Sequence, residues 1–142
     1  QDEFMMRETF RVSPKEPTSV WLTMKRINFR LKCQLVDISA EGMAVFLPAD
    51  YFAPQHIKKD AEVLLEFQLP SGGDASQVDI QARGIIKNTI GPAGYQQKRI
   101  GIRVYYDRRG GTLISQYTQQ RMVDLRKEMD RTYDALFRLF RG

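Results

Sequence analysis

The chain has 142 residues, of which 42% are hydrophobic and 27% are charged, and its formal net charge is +5. This size and composition predict one soluble globular domain with a core of its own. No apolar run approaches the length of a membrane span and no segment resembles a signal peptide, which argues against membrane insertion. The single cysteine, Cys33, excludes an internal disulfide and favours a reducing, cytoplasmic compartment. The positive charge suits an anionic partner, although a plain basic surface accounts for it equally well.

The first twelve residues differ in character from those that follow. They mix charged side chains with Phe and Met, and they lead into prolines at positions 14 and 17. We therefore interpret residues 1–12 as an arm or linker outside the core. Because the chain opens with Gln1 rather than Met, we also expect an upstream domain.

Residues 13–111 show the pattern of short β-strands. Apolar and polar residues alternate in six segments, and turn-forming residues separate these segments. Six short strands at this spacing indicate a mainly β fold, a six-stranded antiparallel β-barrel. Cys33 falls among the apolar positions of its segment, so we predict a buried structural thiol. The predicted strands are residues 19–27, 31–38, 42–47, 62–69, 78–90 and 99–106.

Residues 112–142 change character again, because no Pro or Gly interrupts residues 112–140 and helix-forming residues dominate. This predicts a long C-terminal α-helix, packed on the open end of the barrel or pairing with another subunit through its distal part. Both interpretations hold if the first turns dock and the end projects. Along the predicted helix, six residues recur at alternating spacings of three and four, as the residues of a coiled-coil seam do, which makes the chain a candidate homo-oligomer. These six residues are Met122, Leu125, Met129, Thr132, Leu136 and Leu139.

Two short motifs carry the chemistry. The first is RETFR at residues 7–11, an RxxxR whose two guanidinium groups are planar, permanently charged and able to bind phosphate or a guanine edge through paired bonds. The second is DISAEG at residues 37–42, a DxSxxG at the end of a predicted strand. Its Asp can accept hydrogen bonds from the N–H donors of guanine. The combination indicates a ligand that is both anionic and guanine-bearing.

At these two motifs, in this order on a strand-rich chain of domain size, the sequence closely resembles the bacterial PilZ domain. That domain is a receptor for the second messenger cyclic di-GMP. The resemblance covers nearly the whole chain, and it implies a PilZ-like barrel with cyclic di-GMP as its ligand and no cofactor. It implies ligand contacts from Arg7 and Arg11 on the arm and from Asp37, Ser39 and Gly42 on the barrel.

Each of these residues has a chemical role in that interpretation. Arg7 and Arg11 would grip phosphate and the Hoogsteen edge of guanine, and Asp37 would accept from guanine N1–H and N2–H. Ser39 would bond a phosphate or base atom, and Gly42 would permit a tight turn and close approach of the backbone. The ligand would then clamp the arm onto the barrel and transmit a conformational signal to an upstream domain or effector protein. An Asx-type turn that binds nothing is the local alternative for DxSxxG.

One position departs from the family pattern. Many PilZ domains carry an additional Arg directly before the RxxxR, where this chain has Met6. An Arg there could stack on a guanine and help to hold a second, intercalated ligand molecule, whereas Met supplies no charge. We therefore predict one ligand per domain, although Arg99 or Arg103 could supply a substitute cation.

Other classes of function leave weaker signals. His56 is the only histidine, and the chain has no nucleophile elbow, Cys/His metal spacing or phosphate-binding Gly loop, so we predict neither an enzyme nor a metal site. A pure interaction module would not need both intact motifs. The main alternative is a basic barrel that binds single-stranded nucleic acid, because cations interleave with aromatic residues that can stack on bases. We favour the interpretation that these aromatics are barrel core; they are Trp21, Phe29, Tyr95, Tyr105 and Tyr106.

Overall fold

The computed structural model describes residues 10–49, 57–70, 76–90 and 98–141, without the side chains of residues 90 and 141. Each strand in these ranges begins and ends within three residues of its prediction, so the six predicted strands are confirmed. A long helix follows them. The elements are β1 (Ser19–Met24), β2 (Phe29–Ile38), β3 (Gly42–Phe46), β4 (Glu62–Pro70), β5 (Gln77–Ile90), β6 (Arg99–Tyr105) and α1 (Arg108–Arg141).

Within the described residues the six strands close into an antiparallel barrel, in the order β1-β2-β3-β6-β5-β4, and β1 pairs with β4 to complete it. The predicted mainly β barrel is therefore confirmed. Closure pairs every strand on both sides and so removes the exposed edges that an open sheet would have. The order also matters for function, because it places the last strand, β6, beside β3 and close to the end of β2.

The barrel interior is almost entirely aliphatic. Alternate residues of each strand point inward, and positions such as Leu22, Met43 and Ile100 have no exposed surface. In the part of the chain that the structure describes, Phe67 is the one aromatic residue among the buried core. Cys33 is buried in the same core, which confirms the predicted structural thiol, and burial raises its pKa to about 12.

The prediction that the barrel aromatics form the core is wrong. Trp21 and Tyr105 stand between inward-facing neighbours, so strand alternation turns them to the outer face. Phe29 begins β2 at the rim of the barrel and is exposed there. Tyr106 follows β6 and is only partly buried against the core, where burial raises the pKa of its phenol. Tyr95 lies outside the described residues.

The N-terminal segment joins the barrel earlier than predicted. Val12, which the sequence placed in the arm, is buried in the core and forms an antiparallel bridge with Ile38. Two backbone hydrogen bonds of 2.9 Å, one in each direction, make this bridge. Val12 is an apolar residue with a core position available to it, so it belongs to the barrel rather than to the arm. Phe10 and Arg11 are the described residues that precede it.

Helix α1 begins at Arg108, rather than at residue 112 as predicted. Asp107 caps it, because the backbone N–H of Gly110 donates a 2.7 Å hydrogen bond to Asp107 Oδ1. Gly110 and Gly111, which the sequence pattern predicts as the boundary between barrel and helix, therefore lie in the first turn of the helix. The helix has 34 residues and is about 51 Å long at 1.5 Å per residue. Among the described residues no helix has both the length and the apolar character needed to cross a membrane.

The first turns of α1 pack on the barrel and the rest extends beyond it. Ile114, Thr118 and Arg121 are buried, and Leu125 is half-buried against the core. Every described side chain after Leu125 is exposed. The expectation that the first turns dock while the distal end projects is therefore met by the described residues.

Candidate functional site

Asp37 owes its outward position to an irregularity in β2. Leu31, Cys33 and Leu35 face the core, and continued alternation would bury position 37 as well. A register shift between Leu35 and Asp37, where β2 pairs with β3, breaks the alternation, and Ile38 is buried instead. Bulges re-aim side chains in this way. The Asp37 side chain is 19% exposed, so it lies at the surface of the barrel and not in its interior.

Arg11 reaches Asp37 because the N-terminal segment is fastened beside it. The antiparallel bridge between Val12 and Ile38 places the neighbour of Arg11 directly beside the neighbour of Asp37, within reach of the long Arg11 side chain. Arg11 Nη1 consequently lies 3.0 Å from Asp37 Oδ1, although the two residues are 26 positions apart in sequence. The two motifs that the sequence singled out therefore meet through this ion pair. Arg7 and Met6 lie outside the described residues.

Arg99 is the second partner of Asp37. Its Nη2 lies 3.3 Å from Asp37 Oδ2, across 62 positions of sequence. The sequence suggests Arg99 only as a substitute cation, and no spacing along the chain signals its contact with Asp37. The strand order places it there, because β3 pairs with β2 on one side and with β6 on the other. Each oxygen of the carboxylate is thus bonded to a different guanidinium group.

Ser39 is buried, and its hydroxyl serves the turn between β2 and β3. The hydroxyl donates to the carbonyl oxygen of Gly42 at 3.3 Å and accepts from the backbone N–H of Gly42 at 3.2 Å. It also accepts from the N–H of Glu41 at 3.4 Å. These contacts are those of a serine that organises a tight turn. A bond from Ser39 to a ligand would have to replace one of them.

Gly42 is required where two strands come together. A Cβ at this position would lie 2.9 Å from the carbonyl oxygen of Ile102 on β6, and 3.9 Å from Nη2 of Arg11. Such a Cβ would crowd a backbone atom of the neighbouring strand. The close approach that the sequence predicted thus involves β6 and the side chain of Arg11. Arg103, which pairs with Gly42 across the sheet, forms an exposed 3.7 Å ion pair with Glu41.

The segment that carries Arg11 is also held by α1. Arg121 Nε donates a 2.8 Å hydrogen bond to the carbonyl oxygen of Ser13, two residues after Arg11. The Nη1 of the same side chain lies 3.2 Å from the carboxylate of Glu128. The Arg121 side chain is only 8% exposed. Residues 11–13 therefore connect Asp37 on the barrel to Arg121 in the helix.

The charged groups of the site can change their bonding partners. The side chains of Arg11 and Arg99 are 57% and 40% exposed, so both have room to turn toward solvent, whereas the Asp37 side chain is 19% exposed. An incoming group that offers N–H donors can take over the carboxylate, and an incoming anion can take over the guanidinium groups. A wide surface depression elsewhere, between β1, β4 and β5, is lined by Trp21 and Glu66 and contains none of these residues.

Comparison with known proteins agrees with this geometry. The model of the PilZ domain family matches residues 6–120, a range that contains both motifs and all six strands. None of the curated proteins matches the sequence.

Solved structures share the fold. The PilZ domain of YcgR from Escherichia coli with c-di-GMP superposes with a TM-score of 0.57 at 18% identity, over 87% of this chain and 97% of that one. The Bacillus subtilis inhibitor of motility MotI/DgrA has a TM-score of 0.67 at 14% identity, over 83% of this chain and 52% of that one. The K. pneumonia MrkH–c-di-GMP complex has a TM-score of 0.56 at 15% identity, over 89% and 55% respectively. The chain thus spans about half the length of MotI/DgrA and of MrkH.

Proposed function

The chain belongs to the PilZ domain family, and from that premise we propose that it is a receptor domain for cyclic di-GMP. The proposed contacts are Arg7, Arg11, Asp37, Ser39 and Gly42, and we add Arg99 because it pairs with Asp37. Two of the similar structures, from Escherichia coli and K. pneumonia, contain c-di-GMP. The observation that carries the proposal is the carboxylate of Asp37, held at the surface between Arg11 and Arg99.

Binding proceeds in this proposal as an exchange of partners. Guanine N1–H and N2–H donate to the carboxylate of Asp37, which accepts up to four hydrogen bonds. Arg11 and Arg99 are released from Asp37 and turn to phosphate oxygens and to the O6 and N7 acceptors of the base. Every charge-assisted bond that the free protein gives up is replaced by one to the ligand. The favourable free energy of binding then comes from contacts that the ligand makes in addition to these exchanged bonds.

The arm contributes through its two arginines. Arg11 is anchored by the bridge at Val12, and Arg7 comes four residues earlier in the sequence. Cyclic di-GMP has two phosphates and two guanines, so it can bond both arginines while it bonds Asp37. Ordering the arm costs conformational entropy, which these contacts must exceed. The ligand thereby clamps the arm onto the barrel.

Ser39 and Gly42 act mainly by shaping the surface. The hydroxyl of Ser39 holds the turn that follows Asp37, and Gly42 keeps β3 close to β6 and leaves room for the side chain of Arg11. Together they fix the position of the carboxylate relative to both arginines. A direct bond from the Ser39 hydroxyl to the ligand remains a prediction.

The signal leaves the site in two directions. Clamping the arm sets the position of whatever precedes it, such as an upstream domain or an effector protein. The bond between Arg121 and Ser13 links the same segment to α1. The domain is in this proposal a cytoplasmic regulator that has no catalytic activity and needs no cofactor besides its ligand.

The alternative, a barrel that binds single-stranded nucleic acid, gains one observation and loses another. Trp21 faces outward and is partly exposed, as a residue that stacks on a base has to be. Arg30 already lies 4.2 Å from the centre of the Trp21 ring, however, and it also pairs with Glu66 at 3.3 Å. A base would have to displace this cation beside a carboxylate. Binding of oligonucleotides with a steep salt dependence, together with indifference to cyclic di-GMP, would favour the alternative.

Calorimetric titration tests the proposal. We expect saturable binding of cyclic di-GMP and much weaker binding of cyclic di-AMP, GTP and GMP. Adenine lacks the O6 acceptor and the N2 donor, so each unpaired polar group costs about 1–3 kcal/mol. Equal affinity for cyclic di-AMP would contradict the proposal. Arg11→Ala should weaken binding by about 1.5–3 kcal/mol with little change in melting temperature, because Arg11 is exposed.

The same titration measures stoichiometry. We expect one cyclic di-GMP per chain, because Met6 stands where a stacking Arg would be needed for an intercalated pair. A second ligand would bring two more negative charges close to the first, which is unfavourable without a neutralising cation. Met6→Arg should shift the ratio toward two. A wild-type ratio of two would assign the stacking role to another residue.

A further inference from the structure

We propose that the distal half of α1 is a self-association surface, and that a second copy of this chain packs on it in the antiparallel direction. The surface is the distal stripe, defined by Met129, Thr132, Leu136 and Leu139. Met129 is 58% exposed, Leu136 48% and Leu139 76%. Large apolar side chains in a row that stand this far into solvent mark an interaction site.

The distal stripe continues a face that the molecule itself covers. Ile114, Thr118, Arg121 and Leu125 form the docked stripe, at spacings of four, three and four, and they pack on the barrel. Residues three and four apart lie on one side of a helix, so the distal stripe extends the docked stripe in a straight line. The barrel covers this side as far as Leu125. Beyond Leu125 the same side of the helix has the residue composition typical of a buried face, but the barrel no longer covers it.

The charges around the distal stripe favour a protein partner over a lipid surface. Residues 122–141 contain four acidic and five basic side chains, so the segment is close to neutral. Helices that lie on anionic membranes carry an excess of Lys and Arg on their polar face. A stripe that repeats with coiled-coil spacing, by contrast, is complementary to another stripe of the same kind. A second copy of the chain supplies one.

The position of the barrel decides the direction of pairing. The barrel sits on the same side of α1 as the distal stripe, so a partner helix on that side must end where the barrel begins, near Leu125. A parallel partner in register would bring its own barrel to the same place, and the two barrels would collide. An antiparallel partner brings its C-terminal end to Leu125 and its barrel to the far end. The two molecules then contact each other only through the distal halves of their α1 helices.

This arrangement defines the contacts between the two copies. Thr132 lies opposite itself on a two-fold axis, Met129 lies opposite Leu136, and Leu125 lies opposite Leu139. Each copy thus presents the same patch to the other, as a closed dimer requires. A polar residue on the axis is tolerated, because the hydroxyl of Thr132 already donates a 3.0 Å hydrogen bond to the carbonyl oxygen of Glu128. None of these contacts involves the proposed ligand site.

Light scattering of the full chain over a dilution series tests the association. We expect a mass twice the 16.5 kDa of one chain at the higher concentrations. Leu136→Lys should return the mass to that of one chain and leave the circular dichroism of the folded chain unchanged, because Leu136 is exposed in the single chain. The matched control is Val123→Lys, which adds the same charge to an exposed apolar position on the same helix but away from the stripe, and it should stay dimeric.

Cysteine cross-linking tests the direction. The native Cys33 is buried, so introduced cysteines dominate the reaction. Thr132→Cys should cross-link with itself. Met129→Cys should cross-link with a tagged Leu136→Cys chain when the two are mixed, and neither should form homodimers efficiently. Cross-linking of Met129→Cys with itself, at the expense of the mixed product, would overturn the antiparallel arrangement.

Three further outcomes would overturn the proposal of self-association. One is a mass of a single chain at every concentration, and another is a dimer that Leu136→Lys leaves intact. The third is a monomer that sediments with vesicles of phosphatidylcholine and phosphatidylglycerol and is released by Leu136→Lys, which would make the stripe a lipid-binding face. Each outcome can be read whether or not cyclic di-GMP binds, so failure of the ligand proposal would be recognised separately.

Discussion

One hydrogen bond of 2.8 Å joins Arg121 in α1 to the carbonyl oxygen of Ser13, although the two residues are 108 positions apart. Ser13 follows directly after Val12, whose bridge to Ile38 fixes the end of the arm. The helix and the candidate ligand site therefore hold the same short segment from opposite sides. This contact holds the segment firmly, because the Nε–H donor of the buried Arg121 would be left without a partner in a desolvated place if the segment moved away.

The first prediction concerns this tie. Arg121→Ala should lower the free energy of unfolding by about 1.5–3 kcal/mol, the range for hydrogen bonds to charged groups. Arg126→Ala, which removes an exposed arginine five residues further along the same helix, is the control and should change stability little. Denaturant titrations of both variants compare the two losses. If both variants lose the same stability, the contact with Ser13 contributes nothing of its own.

The second prediction separates two roles of Arg99. If Arg99 turns from Asp37 to the ligand, Arg99→Ala should weaken binding of cyclic di-GMP by about 1.5–3 kcal/mol, roughly tenfold or more. If Arg99 only competes for the carboxylate, its removal should tighten binding. We expect weaker binding. Arg30→Ala is a matched control, because Arg30 Nη2 also forms a 3.3 Å ion pair, with Glu66 on a different part of the barrel.

The third prediction concerns the contact between β3 and β6. Gly42→Ala should lower the free energy of unfolding by about 1–3 kcal/mol, since its Cβ would lie 2.9 Å from the carbonyl oxygen of Ile102 and the strands would have to separate. Gly111→Ala is the control, because a Cβ there meets nothing within 4 Å. In the first turn of a helix that change should be neutral or stabilise by up to about 1 kcal/mol. The melting temperature should therefore fall for Gly42→Ala and stay the same or rise for Gly111→Ala. A Gly42→Ala variant as stable as the wild type would contradict the steric argument.

The fourth prediction concerns Cys33. Burial raises the pKa of its thiol from 9.0 to about 12, so thiol reagents at pH 8 should modify the unfolded chain and spare the folded one. The unfolded state releases this proton near pH 9 while the folded state retains it. Stability should therefore fall as the pH rises from about 9 toward about 12. Cys33→Ala should reduce that slope in denaturant titrations at different pH values, although Tyr106, whose pKa is also raised by burial, adds to it above pH 10. Rapid modification of the folded protein would show that the core opens readily.

Much of the fold could be predicted from the sequence, because the relevant signals are local. Strand alternation and turn residues predicted all six strands, and uninterrupted helix formers predicted α1. The start of α1 was predicted late, since Gly110 and Gly111 read as a break when the cap from Asp107 is not visible. Trp21 and Tyr105 were assigned to the core because aromatic residues favour both strands and interiors. The face of the barrel on which they lie depends on which residues of each strand point inward, and this is determined by the burial of their neighbours in the strand.

For the candidate site, the sequence alone proposed Arg11 and Asp37 from their chemistry, and it identified the family to which the motifs belong. Side-chain type and short spacings are properties of a linear chain, so they can be read without a structure. The bulge that turns Asp37 outward, the contact with Arg99 and the tie between Arg121 and Ser13 were decided by the tertiary structure. Each depends on distant segments brought together by strand order and packing, and no local pattern encodes those distances.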